Sequence, residues 1–99
     1  MKEIKIPFNG WSKYRLAYTK CATSRSKPYG MVGDYFIINS IKYEIDLVVQ
    51  LPIWFVAKEL YKSEGALSKY ELLHVLSTIY KSTINEGKLV FYHHFKKVK

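Results

Sequence analysis

The chain has 99 residues, which predicts one domain spanning residues 1–99. Apolar residues make up 48% of it, which is enough for a packed core and argues against intrinsic disorder. Lys and Arg total 16 against 8 Asp and Glu, giving a formal net charge of +8, and aromatic residues reach 16%. This composition is typical of a small domain that binds a polyanion such as RNA, although a generally basic, solvated surface also accounts for the charge.

Cysteine content and hydropathy exclude several other classes. The single cysteine, Cys21, excludes an internal disulfide framework and a four-cysteine zinc site, and it favours a reducing compartment. No signal peptide is visible at the start of the chain. The longest uncharged stretch, residues 47–57, is about half of a membrane span. We therefore expect a cytoplasmic, intracellular protein that does not associate with a membrane.

The first half of the chain predicts strands and turns. Residues 4–8 alternate briefly and predict a short edge strand because of Pro7, and Trp11 to Tyr18 predict a short helix. Residues 21–26 are typical of a strand. Gly33-Asp34 introduces an apolar strand at residues 35–38, and residues 43–49 alternate after an Asn39-Ser40 turn, which predicts an antiparallel hairpin.

The second half predicts two helices and a strand. Pro52 fits the first turn of a helix that ends near Tyr61. Ser68 to Glu71 form a capping box, and Leu67 and Leu72 have the spacing of a hydrophobic staple around it. The residues expected to pack inward from this second helix are Tyr70, Leu73, Leu76, Ile79 and Tyr80.

The last element is a strand from Leu89 to Phe95, which follows a loop at Glu86-Gly87. Strands and helices without a regular βαβ alternation favour an α+β fold. We expect a small, mostly antiparallel β-sheet or partial barrel with flanking helices.

A cationic and hydroxyl-bearing segment, residues 20–27, is the first candidate site. Thr23 and Arg25 share a face of an extended chain, so a hydroxyl and a guanidinium can meet one ligand. Arg25 suits a phosphate or a base edge, and Lys20 and Lys27 add positive charge. Solvated cations beside a strand-forming threonine are an equally open interpretation.

The order of these motifs resembles the ASCH domain, a PUA-like fold. Lys20-x-x-Thr23-x-Arg25 and the following Gly33-Asp34 are similar to that family's pattern of Lys-x-x-Thr-x-Arg, a variable loop and Gly-Asp. The resemblance continues through Glu64-Gly65, the capped helix and a closing strand that ends at Phe95-Lys96. It therefore covers nearly the whole chain in the expected order.

The resemblance implies a small β-barrel with flanking helices and an RNA-associated pocket. Some ASCH-like proteins are amidohydrolases that remove the acetyl group of 4-acetylcytidine with a Lys, a Thr and a Glu. The matching positions here are Lys20, Thr23 and Glu64, which are the candidate catalytic residues. Other relatives bind or cleave RNA, so the fold does not determine the activity.

The sequence departs from the family pattern at two positions. Tyr18 stands where a Gly usually precedes the Lys motif, and Cys21 stands where the amidohydrolase branch often has Thr. In an amidase, Thr23 needs a base to remove its proton, and Lys20 serves only if its pKa is lowered. Glu64 would then shuttle a proton or orient a water, or it is simply a solvated loop carboxylate.

The segment Tyr92-His93-His94 is the second candidate. Neighbouring strand residues point to opposite faces, so the two imidazoles cannot readily chelate one metal, and we expect neither a metal nor an organic cofactor. One imidazole is expected to face the pocket while the other is exposed, or both are structural. A base would stack on Trp11, Tyr29 or Tyr92.

The favoured interpretation is an RNA- or nucleotide-binding module with a basic pocket. The alternatives are an amidohydrolase acting on modified nucleosides such as 4-acetylcytidine, an RNA-cleaving enzyme, and a protein–protein adaptor. The residues expected to bind the RNA or modified nucleoside are Arg25, Lys27, Trp11, Tyr29, Tyr92, His93 and His94.

Overall fold

The computed structural model of the chain describes residues 2–6, 8, 20–80 and 87–98, with backbone only for residues 78–80. The predicted helix around Trp11 lies outside these residues. Within the described residues, four strands and two helices follow one another in the order β1 (Ala22–Arg25), β2 (Tyr35–Ile38), β3 (Ile41–Pro52), α1 (Ile53–Glu59), α2 (Lys69–Tyr80) and β4 (Leu89–Val98).

The four strands form one antiparallel sheet in the order β1-β4-β3-β2, as the α+β prediction requires. The sheet curls into a half-barrel but does not close. Closure would require the two outer strands, β1 and β2, to pair. Among the described residues, β1 pairs only with β4, and β2 pairs with β3 and, through a single bridge at Tyr35, with Glu3. The expected β-barrel is therefore corrected to an open sheet, since four strands are fewer than the roughly eight that enclose a packed interior.

The predicted hairpin of β2 and β3 is confirmed. Its turn residues Asn39 and Ser40 both have positive φ, 52° and 66°. Two consecutive positive φ values define the turn whose twist matches antiparallel strands. Ile38 therefore pairs with Ile41 across a two-residue turn.

A β-bulge at Asp46 interrupts the pairing of β3 with β4. Ile45 pairs with Phe95 and Leu47 pairs with His94, so Asp46 is the additional residue. Because the bulge adds one residue, it reverses which side chains of β3 face each side of the sheet. Ile45 and Val48 therefore pack in the same core although they are three residues apart.

The N-terminal residues pack on the sheet without forming the predicted edge strand. The backbone N–H of Ile4 donates to the Tyr35 carbonyl at 2.8 Å, and Tyr35 donates to the Lys2 carbonyl at 3.0 Å. These bonds make only an isolated parallel bridge of Glu3 with Tyr35. Burial of alternate apolar side chains, rather than strand pairing, holds this segment in place; they are Ile4, Ile6 and Phe8.

Strand alternation produces two cores, one on each face of the sheet. On β4, Val90 and Tyr92 face the helices, whereas Phe95 faces the other side. The core on the helix side contains Ala22, Ile53, Val56, Ala57, Ala66, Leu72, Leu76, Val90 and Tyr92. The second core contains Ile4, Ile6, Phe8, Phe36, Tyr43, Ile45 and Phe95.

The start of α2 is capped as predicted, and its buried face agrees with the prediction in part. Leu76 is buried and Leu73 packs against the core as predicted, whereas the side chains of Ile79 and Tyr80 lie outside the described residues. Glu71 N–H donates to Ser68 Oγ at 3.2 Å, and Glu71 Oε1 accepts from Leu67 N–H at 2.9 Å. Leu67 is 74% exposed and Tyr70 is 73% exposed, so the staple does not form and Tyr70 does not pack inward. The buried stripe begins at Leu72, since the side chains at 72, 75 and 76 have the helical spacing that faces the sheet.

Helix α1 follows β3 directly, and Pro52 occupies its N-cap position. The predicted helix is therefore confirmed, with its end at Glu59. Neither described helix has the length and apolar character needed to cross a membrane.

Candidate functional site

The loop between α1 and α2 delivers Glu64 to the start of β1. Three consecutive tight turns shape it, since the N–H groups of Ser63, Glu64 and Gly65 each donate to the carbonyl three residues earlier. Gly65 has φ 87°, a conformation that favours glycine. The Cys21 N–H donates to the Ser63 carbonyl at 2.6 Å, which ties this loop to the segment that precedes β1.

Lys20 and Glu64 form a buried ion pair. Lys20 Nζ lies 3.1 Å from the Glu64 carbonyl oxygen and 3.4 Å from Glu64 Oε1. Each side chain is only 2% exposed. Ser24 Oγ donates to the other carboxylate oxygen, Oε2. Glu64 is therefore held through both of its carboxylate oxygens, and Lys20 is held through both the main chain and the side chain of Glu64.

Burial lowers the pKa of the Lys20 amine below its ordinary value. The Glu64 carboxylate acts in the opposite direction because it stabilises the ammonium, while the Arg25 guanidinium lowers the pKa further. Burial has the largest effect. Lys20 is therefore a lysine whose amine deprotonates more readily than a surface lysine, and such perturbed groups mark candidate functional sites.

Thr23 is wholly buried, and its hydroxyl has no hydrogen-bond partner among the residues that the structure describes. Because neighbouring strand residues point to opposite faces, Thr23 lies on the face opposite to Ser24. The register supports this, since Thr23 pairs with His93 and Ser24 pairs with Tyr92. The structure thus brings Lys20 and Glu64 together but does not join Thr23 to either of them by a hydrogen bond.

Arg25 shares the face of Thr23, as its strand spacing predicts. It is 6% exposed, its Nη1 donates to the Ser24 carbonyl at 3.0 Å, and its guanidinium lies 5.5 Å from the centre of the Phe8 ring. A buried guanidinium stacked on an aromatic ring is a rigid cation rather than a solvated one. The interpretation of Arg25 as a solvated surface residue is therefore wrong.

The two histidines of β4 occupy opposite faces. His93 is wholly buried, with Nδ1 3.1 Å from the Thr23 carbonyl and Nε2 accepting from the Tyr29 N–H at 3.1 Å. A carbonyl only accepts, so Nδ1 carries the proton and the ring is neutral. Burial lowers the pKa of His93, consistent with that state. His94 is partly exposed, and its Nδ1 lies 2.7 Å from Asp46 Oδ1.

The hydrogen-bond partners of His93 limit what its ring can do. Both ring nitrogens of His93 are occupied by backbone groups, so its role is to join β1, β4 and the loop that contains Tyr29. In this arrangement neither ring nitrogen of His93 is open to a ligand. Among the described residues, no group of three His, Cys, Asp or Glu side chains is close enough to hold a metal ion.

The candidate aromatic residues differ in their access to a ligand. Tyr29 is partly exposed, and Lys27 Nζ lies 5.3 Å from the centre of its ring. Tyr92 is 3% exposed and packs in the helix-side core. Stacking of a base on Tyr92 is therefore wrong, because no ring face is available. Trp11 lies outside the described residues.

The Tyr92 hydroxyl has a structural partner. Ser63 Oγ donates to the Leu60 carbonyl at 2.6 Å, so at its 2.6 Å contact with Tyr92 it accepts from the phenol. Burial raises the pKa of Tyr92 to about 12, which keeps the phenol protonated as this donor. Tyr92 therefore fastens the loop that carries Glu64 to β4.

The Gly33-Asp34 motif builds the turn that leads into β2. Asp34 Oδ2 accepts from the Met31 N–H at 2.9 Å, and Oδ1 accepts from the Lys2 N–H at 3.2 Å. Its hydrogen bond from Met31 is the main reason that the pKa of Asp34 is lowered. Gly33 has φ 96°, which favours glycine. This motif stabilises the fold and contributes no described group to the Lys20–Glu64 pair.

Sequence reasoning missed Ser24 and Ser63. Ser24 stands at a variable position of the Lys-x-x-Thr-x-Arg pattern, so the resemblance draws no attention to it. Its distance of four residues from Lys20 could have indicated a shared side of an extended segment. No local pattern indicates Ser63, because its contact with Tyr92 joins residues that are 29 apart in the chain.

Comparison with known proteins supports the fold. No protein-family model and no curated protein matches the chain in sequence. A crystal structure of an ASCH domain from Lactobacillus crispatus JV V101 is similar with a TM-score of 0.66 and 15% identity, covering 97% of this chain and 78% of that one. Protein EF3133 from Enterococcus faecalis V583, described under the family model DUF984, is similar with a TM-score of 0.62 and 14% identity, covering 98% and 75%.

These similarities extend over nearly the whole chain. The protein has the fold of an ASCH-type domain. The resemblance indicated by the order of the sequence motifs is thus confirmed at the level of the fold. At 14–15% identity, the similarity shows the fold and assigns no activity.

Proposed function

We propose that this chain is an RNA- or nucleotide-binding module of the ASCH type, whose ligand is bound on the Thr23 and Arg25 face of β1. The observation that carries the proposal is the wholly buried Thr23 hydroxyl, which has no hydrogen-bond partner among the described residues. A buried hydroxyl without a partner costs about 1–3 kcal/mol. A ligand that hydrogen-bonds Thr23 would offset this cost.

Charge and aromatic residues near Thr23 favour a nucleotide. Arg25, two residues along the same face, presents a buried guanidinium, and the chain carries a formal net charge of +8. Tyr29 is joined through its N–H to His93, which in turn contacts the Thr23 carbonyl. The partly exposed Tyr29 ring and the exposed Lys27 beside it supply a stacking surface and a phosphate contact.

Binding to a fluorescent single-stranded RNA of mixed sequence tests this function. The affinity is expected to fall steeply between about 50 and 200 mM salt, because phosphate contacts release counterions. Lys27→Ala should reduce the slope of log affinity against log salt by about 0.7, the share of one contact on a single strand. Negligible binding that does not respond to salt would refute the proposal. Together with absence of turnover of 4-acetylcytidine, it would leave a protein–protein adaptor.

Matched variants locate the binding face. Thr23→Val removes the hydroxyl and keeps the side-chain shape, whereas Thr23→Ser keeps the hydroxyl. We expect Thr23→Val to weaken RNA binding by about tenfold and Thr23→Ser to retain most of it. Tyr29→Phe should bind like the unmodified chain and Tyr29→Ala should bind more weakly, because stacking needs only the ring. Equal binding by all four variants would place the RNA elsewhere.

The lowered pKa of Lys20 favours a second candidate, an amidohydrolase acting on 4-acetylcytidine. The Thr23 oxygen would add to the acetyl carbonyl while its proton passes to the Lys20 amine. Collapse of that adduct would break the C–N bond, and the departing cytidine amine would take a proton, with Glu64 as its shuttle. Water would then cleave the acyl-threonine to acetate. This route requires Thr23 to reach Lys20 when substrate is bound.

A turnover assay with 4-acetylcytidine separates the two functions. If the chain is an amidohydrolase, cytidine and acetate form in equal amounts, and Lys20→Ala or Thr23→Ala abolishes their formation. Retained turnover in both variants would refute this mechanism, and absence of turnover in the unmodified chain would refute the activity. Incubation with the same single-stranded RNA, followed by electrophoresis, tests RNA cleavage.

A further inference from the structure

Ser24 completes a hydrogen-bonded cluster that the Lys-x-x-Thr-x-Arg pattern does not include. Its hydroxyl donates to Glu64 Oε2, while Lys20 Nζ lies 3.4 Å from Oε1. Ser24 is wholly buried, and Glu64 is 2% exposed. The serine therefore contacts Oε2 of the carboxylate, whereas Lys20 contacts Oε1.

We propose that Ser24 is a positioning residue, whose hydroxyl fixes the orientation of the Glu64 carboxylate and thereby fixes the Lys20 side chain beside β1. Two features support this role. A carboxylate on a loop can rotate about its side-chain bonds, and contacts to both of its oxygens remove that freedom. Ser24 also belongs to a rigid strand, since it pairs with Tyr92 in the antiparallel register of β1 and β4.

The alternative is that Ser24 only satisfies a buried polar group and has no influence on Lys20. The two roles differ in what happens to the lysine. Glu64 raises the pKa of Lys20 through its charge and its hydrogen bond, in opposition to burial. If Ser24 positions the carboxylate, loss of the serine hydroxyl weakens that effect, and the pKa of Lys20 falls further. If Ser24 is only a satisfied core residue, the titration of Lys20 stays unchanged.

The ¹⁵N resonance of the Lys20 amine, followed by NMR through an alkaline titration of the full chain, tests the proposal. Ser24→Ala should move the Lys20 midpoint to lower pH, and Ser24→Thr, which retains a hydroxyl, should restore it. Ser24→Cys keeps a similar volume with a weaker donor, so it should give an intermediate midpoint and serves if the alanine variant does not fold. An unchanged midpoint in both Ser24→Ala and Ser24→Cys would overturn the proposal.

The proposed function places the RNA on the Thr23 and Arg25 face of β1, which is opposite to the face of Ser24. Ser24→Ala should therefore shift the Lys20 titration while it leaves the affinity for the fluorescent single-stranded RNA nearly unchanged. The two measurements test separate claims. Loss of RNA binding in Ser24→Ala would contradict the proposed binding face, whereas an unaltered Lys20 titration would overturn the positioning role.

Discussion

Lys20 and Glu64 are 44 residues apart in the chain and meet in its interior through two contacts. Lys20 Nζ lies 3.1 Å from the Glu64 carbonyl oxygen and 3.4 Å from Oε1, and the two side chains are each 2% exposed. Transfer of both charges from water opposes folding, so the pair contributes little net stability. Once the pair is buried, however, removal of either partner leaves the other charge uncompensated.

The burial of this ion pair predicts that substitutions at Lys20 and Glu64 have strongly non-additive effects on the free energy of unfolding. Glu64→Gln and Lys20→Met should each lower the free energy of unfolding by about 3–5 kcal/mol, and the double variant should recover a large part of the combined loss. Urea unfolding of the four proteins gives the coupling energy. Purely additive losses would contradict the prediction.

The exposed pair of Lys5 and Glu3 is the matched control for that cycle. Its atoms lie 3.3 Å apart, but the side chains are 90% and 40% exposed. Solvent screens such a pair, so Glu3→Gln should change the free energy of unfolding by less than about 0.5 kcal/mol.

The Thr23 hydroxyl, which has no hydrogen-bond partner among the described residues, predicts opposite effects on stability and on binding. Thr23→Val should leave the free energy of unfolding unchanged or raise it by about 1 kcal/mol, because it removes a buried hydroxyl that makes no hydrogen bond to the described residues. Thr23→Ala also removes a methyl group and should be less stable than Thr23→Val by about 1 kcal/mol. Chemical denaturation measures both. A clear loss of stability in Thr23→Val would show that the hydroxyl has a partner in the free protein.

Local patterns were sufficient to predict much of the fold. The Asn39-Ser40 turn between an apolar segment and an alternating one predicts the β2–β3 hairpin, and the capping box predicts the start of α2. Each of these features depends on only a few neighbouring residues. The open half-barrel cannot be predicted from such local patterns, because closure depends on how many strands the whole chain supplies and on whether its outer strands pair.

The candidate site was predictable only in part, because some of its contacts join residues that are far apart in the chain. The order of motifs selects Lys20 and Glu64, which the structure brings together. It does not select Ser24, whose contact with Glu64 joins residues 40 apart. Local spacing also does not show that Tyr92 lies in the core, since an aromatic residue on an alternating strand suits a core and a stacking surface equally well.

The corrected buried face of α2 predicts contrasting effects at two nearby positions. Tyr70 is 73% exposed, so Tyr70→Ala should change the free energy of unfolding by about 0.5 kcal/mol or less. Leu72 is 1% exposed and belongs to the helix-side core, so Leu72→Ala should cost about 2–5 kcal/mol. Urea unfolding of both variants is the measurement. A larger loss for Tyr70→Ala than for Leu72→Ala would restore the face predicted from the sequence.

The neutral state of His93 predicts that acid weakens the fold before the carboxylates titrate. Burial has the largest effect on the pKa of His93 and lowers it from 6.5, with Arg25 lowering it further and Glu64 raising it. The unfolded chain therefore takes up the proton first as the pH falls. Stability contributed by neutral His93 is present above about pH 6.5 and is lost as the pH falls toward the lower folded value.

Unfolding free energies measured between about pH 8 and pH 5 test whether stability falls in this direction. A single proton gives a slope of at most about 1.4 kcal/mol per pH unit. His93→Asn cannot titrate but can still donate to the Thr23 carbonyl, so it should flatten the slope in this window. His94→Ala, at the neighbouring position on the opposite face of β4, is the matched control variant. Asp34, whose pKa is lowered from 3.8, titrates outside this range. A slope that His93→Asn leaves unchanged, or that His94→Ala removes, would contradict the assignment to His93.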